Sequence, residues 1–172
     1  MLPYLGVMST TAPPCYGRPM TDVADTLEAR LLSDHAKRPR LLDDCTRLID
    51  AEVDSKGGLS GLAIKGAYMV VQKVKPGFVR EAMDHLLDDF VRRLEPFYAA
   101  HRAAGGEPAR FGDALSKRAG EVADALLGIT DDKARRAKNA NVKATYEKLR
   151  PQAKKHVEEA IPRVGRTLSA HV

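Results

Sequence analysis

Tryptophan is absent from the 172 residues, and aromatic side chains make up only 5% of them. A chain so poor in aromatics, with its apolar share carried by alanine and leucine, favours helices over sheets. Cysteine is equally scarce. Cys15 and Cys45 form no CxxC pair and no framework, which excludes a disulfide-stapled scaffold and predicts a reducing, cytoplasmic setting. No apolar run approaches the roughly eighteen residues of a membrane span. The start, MLPYLGVM, lacks a basic segment and a long apolar one, so no secretory leader is expected. GxSxG, SxxK, HExxH, GxGxxG and the kinase motifs are all missing, and with them the chemistry they carry. A repeat of about 34 or 40 residues is missing too, which excludes a solenoid.

What remains is one domain's length of chain, enough to bury a core unaided. Residues 1–20 hold four prolines without helical period and read as a disordered or loosely attached arm, in which Met8 or Met20 is an alternative start. Residues 21–172 read as a single all-α domain, a bundle of six to eight helices with short connections.

Val23, Leu27 and Leu31 share one face, with Thr21 or Asp22 placed to cap. Pro39 suits a first helical turn, followed by an apolar stripe of Leu41, Leu42, Cys45, Leu48, Ile49 and Val53. Inside that stripe Cys45 reads as a small core residue rather than a nucleophile.

The glycine-rich SKGGLSGLAIKG, residues 55–66, has the look of a phosphate loop. Gly61 and Gly66 have the required separation, yet Ala67 and Tyr68 stand where Lys and Ser or Thr belong, and no strand leads in. The stretch reads instead as a helix boundary, with Gly57 and Gly58 ending one helix and Ser60 capping the next. Residues 60–75 are expected to form the central helix, with Gly66 at a close helix contact. The narrow polar edge of that helix, Lys65, Tyr68, Gln72 and Lys75, is expected to be a solvated face.

Pro76-Gly77 fits a type II turn. Phe78 to Leu94 has the clearest period, and Pro96 is expected to break or kink its helix. AAGGEP, residues 103–108, is the main loop. Phe111 to Leu127 suggests one helix weakened at Gly120, Thr130 a cap for the next, and residues 133–148 one or two short exposed helices. The stripe from Leu149 to Leu168 is interrupted at Pro151 and Pro162.

DAEVDSKGGLSGLAIKGAY, KVKPGFV, VADALLGITD and KLRPQAKKHVEEAIPRVG resemble segments shared by small helical bacterial proteins, mostly of high-GC soil bacteria, known as a domain of unknown function. The resemblance runs from about Leu27 to the C-terminus. It implies a compact, all-helical cytoplasmic protein and assigns no activity, cofactor or site.

Glu81, Asp84, His85, Asp88 and Asp89 come nearest to a metal-ligand set. Carboxylate-bridged bundles need Glu-x-x-His on two helices, however, and His156 with Glu159 gives the reverse order. Neither a metal site nor a cofactor is expected. Charge is divided: 17 Lys and Arg against 20 Asp and Glu up to residue 132, and 11 against 3 beyond it. A basic end of this kind suits an acidic partner. Nucleic acid contacted through Arg135, Arg136 and Lys138 is the less favoured reading, a solvated or internally paired surface the preferred one.

The functional expectation is a non-catalytic module that binds a protein or other ligand. Its alternative is a carrier or enzyme with a site inside the bundle near Lys65, Tyr68, Glu81 and His85. Candidate ligand contacts are Lys65, Tyr68, Gln72, Lys75, Glu81 and His85.

Overall fold

The computed structural model describes residues 25–136, 138 and 140–172. The expected arm and the candidate cap at Thr21 or Asp22 lie outside the described residues. Helices α1 (Leu27–Leu32), α2 (Arg38–Ser55), α3 (Gly58–Val74) and α4 (Phe78–Ala103) are followed by a 3-10 turn (Pro108–Arg110). Then come α5 (Phe111–Lys117), α6 (Ala119–Arg136) and α7 (Ala140–Ser169), with no strand among the described residues. The fold is an all-α single domain with short connections.

The 26-residue α4 is the axis of the domain. Leu87, Val91, Leu94 and Tyr98 recur along its inner face and are buried against Leu27, Leu31, Leu41, Phe111, Leu115, Val122 and Ile161. The Tyr98 and Phe111 rings meet edge to face, 5.1 Å between centroids, a favoured aromatic geometry. Short α1 is pinned to this axis at its N-terminal end. Thr26 caps it locally, and the Glu95 carboxylate of α4 accepts from the Leu27 and Glu28 amides at 3.2 and 3.1 Å. A carboxylate there meets unpaired donors and the positive end of the helix dipole together. Asp25 gathers Arg30 and Arg102 at 2.6 and 2.7 Å.

Several local expectations give way to packing. Pro96, Pro151 and Pro162 all lie inside helices. Each removes one backbone hydrogen bond; around Pro96 and Pro162 the buried Val91, Leu94, Tyr98, Ile161 and Leu168 hold the helix through it. Thr130 caps nothing: it lies within α6, where its hydroxyl donates to Leu127 O and also contacts the Tyr146 hydroxyl. Residues 133–136 and 140–148 are not separate short helices but the end of α6 and the first turns of α7. Phe111 to Leu127 is split at Arg118, two residues before the weakness expected at Gly120.

Where α5 crosses α7, Gly112 faces Gly165. A Cβ on Gly112 would stand 2.5 Å from Gly165 O, and one on Gly165 would stand 2.7 Å from Gly112 Cα. This is the domain's close helix contact.

Candidate binding surface

A tight turn delivers α3 to the edge of the bundle. Lys56 and Gly57 are extended, and Gly58, at φ +70, is the left-handed residue that turns the chain back. Gly57 rather than Ser60 is therefore the N-cap, three residues earlier than expected. Gly61 is required by the same turn, since a Cβ there would lie 2.6 Å from the Lys56 carbonyl. At the far end Gly77 adopts φ 79 and ψ 2, and the Phe78 amide donates to Lys75 O at 3.1 Å. These are the dihedrals and the bond of the expected type II turn.

Between the two turns α3 faces the reverse of the expected way. It is a peripheral helix, not the central one. Its inner edge is polar: Tyr68 donates to the Asp50 carboxylate of α2, and Gln72 donates to the Tyr68 oxygen at 3.1 Å. Burial, helped by the bond to Asp50, pushes the Tyr68 phenol above its ordinary value. So the edge expected to be solvated holds α3 to α2. Its outer face is apolar, with Leu59 88%, Leu62 68%, Met69 58%, Val70 61% and Val74 81% exposed. Gly66 lies in the middle of that face, and among the described residues nothing stands within 4 Å of where its Cβ would be. The close contact expected at Gly66 is not made among the described residues.

The six candidate contact residues fall into two pairs and two singles. Tyr68 and Gln72 are joined as described. Lys75 bridges the turn to Glu81 at 2.6 Å, holding that carboxyl below its ordinary value, and lies 5.7 Å from the Phe78 ring centroid. Lys65 is half-buried and His85 exposed; His85 lies near enough to Glu81 to help lower its carboxyl, but neither residue is hydrogen-bonded or ion-paired with the other four.

The acidic residues around His85 are occupied by cations. Arg38 takes Asp84 and Asp88 at 2.9 and 2.8 Å. Among the described residues no group of three or more His, Cys, Asp or Glu is placed to hold a metal ion.

Much of the basic C-terminal segment pairs internally. Arg150 reaches Asp124 and Asp131 at 2.8 and 3.1 Å, Lys154 reaches Asp124 at 2.6 Å, and Arg163 reaches Glu52 at 3.0 Å. Arg135 pairs with Asp132, while Arg136 and Lys138 are exposed. No helix among the described residues is long and apolar enough to cross a membrane.

Periodicity found the apolar face of α3 and assigned it to the core. The missed signal is the acidic edge of α2. Asp50 needs a donor, and Tyr68 on the opposite side of the next helix supplies one.

The architecture defines a small all-α bundle with one helix mounted apolar side outward. The chain belongs to the family of unknown function DUF6918, whose model matches residues 27–172. No curated protein and no solved structure matches it.

Proposed function

We propose that this protein is a non-catalytic helical binding module whose docking surface is the outer face of α3, and that a second copy of the chain docks there. The observation that carries the reading is the exposure of Leu59, Leu62, Met69, Val70 and Val74 on a single helix. A contiguous apolar face left in water marks an interaction surface, and an aliphatic side chain gains about 1.5–3 kcal/mol on full burial.

Symmetry favours a second copy. Gly66 is the midpoint of the 17-residue α3 and also the middle of its exposed arc. A two-fold axis there would set Leu62 against Val70 of the other copy and Ala63 against Met69, with the glycines at the crossing. Two-fold dimers need such a self-complementary patch. One helix of about 25 Å covers less than the roughly 800 Å² per partner of a standard interface, so the association is weak and concentration-dependent. Lys73, set within the apolar arc, favours a protein surface with a polar rim over a lipid bilayer. A cytoplasmic setting goes with this reading, and Cys45, half-buried against the core, has no role in it.

Sedimentation equilibrium over a range of concentrations tests the proposal. The wild-type chain should show a reversible monomer–dimer equilibrium that Leu62→Lys and Val70→Lys abolish, with helix content unchanged. A wild-type chain that stays monomeric at its highest attainable concentration would sink it. Retention by anionic vesicles, lost in the same variants, would assign the face to a membrane instead.

A further inference from the structure

The core is not filled between α2, α4, α6 and α7. An apolar chamber of about 130 Å³ is lined by Cys45, Leu48, Phe90, Leu126 and Val164 together with neighbouring aliphatic side chains. It adjoins a groove of about 340 Å³, with which it shares Leu48, Phe90, Leu126 and Val164. At its outer end the groove shares Glu52, Lys56 and His156 with a polar mouth that adds Arg163 and Arg166. The run from chamber to mouth is thus graded from wholly apolar to charged. Its volume falls in the range of about 300–1,000 Å³ typical of small-molecule sites.

His156 stands where the gradient turns polar. Both of its ring nitrogens are shut off from solvent without a hydrogen-bond partner among the described residues. The nearest carboxylate oxygen, on Glu159, is 3.6 Å from Nδ1, beyond hydrogen-bond reach. Buried polar groups are almost always satisfied, and an orphaned one calls for water, an ion or a ligand.

Charge at the mouth narrows the choice. Lys56 pairs with Glu52 and Glu159 at 3.4 and 2.7 Å, and Arg163 with Glu52 at 3.0 Å. Both carboxylates are thereby spent. Arg166, exposed at the same mouth, meets no carboxylate among the described residues. An imidazole offers one donor and one acceptor, and the guanidinium offers a planar fork suited to a carboxylate.

We infer that this cavity binds an anionic amphiphile, a medium-chain carboxylic acid. The hydrocarbon lies in the chamber between Leu48, Phe90, Leu126 and Val164, and the carboxylate reaches Arg166 at the mouth and, once the ring turns a nitrogen toward the groove, His156. The inference is independent of the α3 surface, since Leu62 and Val70 line neither chamber nor groove.

Calorimetric titration of the full chain with decanoate, decan-1-ol and decyltrimethylammonium tests it. Decanoate should bind saturably, the alcohol about tenfold more weakly, and the cation not at all. Methyl resonances of Leu48, Leu126 and Val164 should shift. His156→Leu should weaken decanoate about tenfold while leaving the alcohol unchanged, a split that a purely structural histidine would not produce. Val164→Phe should abolish binding of both; should it unfold, Ala160→Leu at the groove wall replaces it. Leu62→Lys should bind decanoate as the wild type does, whatever becomes of the dimer. The proposal is overturned by absence of saturable decanoate binding below its micelle concentration. Equal binding of acid, alcohol and cation with no effect of His156→Leu would overturn it too.

Discussion

Gly112 and Gly165 touch through their backbones, so that a Cβ on either would lie 2.5–2.7 Å from atoms of the other. Both residues are buried, and Gly112 N is further tied to Ser169 Oγ at 2.9 Å. Backbone cannot yield as a flexible side chain can. Gly112→Ala or Gly165→Ala should therefore force α5 and α7 apart and cost about 1–3 kcal/mol by overpacking. Gly66→Ala should behave in the opposite way. It sits in open space within a helix, where alanine is favoured over glycine by about 0.5–1 kcal/mol. Urea unfolding at low protein concentration checks all three. Loss of stability in Gly66→Ala, or none in Gly165→Ala, would contradict the assignment of the close contact.

These two glycines also mark the limit of what the sequence reveals. The Pro76-Gly77 turn was legible because its dihedrals are demanded by two adjacent residues. The stripe of α4 was legible because Leu87, Val91 and Leu94 repeat at helical spacing over many turns. Gly112 and Gly165 lie on helices distant in sequence, and nothing local announces that they meet. In α3 the period correctly gave an apolar face. Period alone does not say which face turns inward, and Tyr68 bound to Asp50 decided against the apolar one. Lys65, Tyr68, Gln72, Lys75, Glu81 and His85 were grouped by nearness along the chain, and the fold joins them only as Tyr68 with Gln72 and Lys75 with Glu81. The chamber behind Leu48 and Val164 had no sequence signature at all, being the gap between four helices.

Arg150 forks between Asp124 and Asp131, and the pairing has a pH signature. The Arg150 guanidinium first, and the Tyr146 hydroxyl after it, hold the Asp131 carboxyl below its ordinary value. Asp124 is lowered as well, by Lys154 and then Arg150. A carboxylate depressed in the folded state contributes stability that is fully present above its unfolded value of about 4. That contribution is lost as pH falls through the lower folded value. Asp131 and Arg150 are both partly open to solvent, so the effect is modest. Asp131→Asn should cost under about 1 kcal/mol at neutral pH, and the difference from wild type should vanish near pH 2. Urea denaturation of both proteins at the two pH values reads the difference directly. A cost that persists unchanged in acid would show that Asp131 acts through packing rather than charge.

The same pairs decide what to expect of the basic end. Residues 133–172 carry 11 Lys and Arg against 3 Asp and Glu, but Arg150, Lys154 and Arg163 are turned inward onto Asp124, Asp131 and Glu52. All three residues weighed for nucleic acid are exposed, but Arg135 is engaged by Asp132 on its own helix. A phosphate backbone is bound through several simultaneous cation contacts, each adding roughly one unit to the salt slope. The wild-type chain should therefore show no retention of DNA or RNA at about 0.15 M salt, where the Debye length is near 8 Å. Arg135, Arg136 and Lys138 changed together to Gln should fold normally and look the same in a mobility-shift titration. A wild-type shift that survives this ionic strength and disappears in the triple variant would make the basic end a nucleic-acid surface after all.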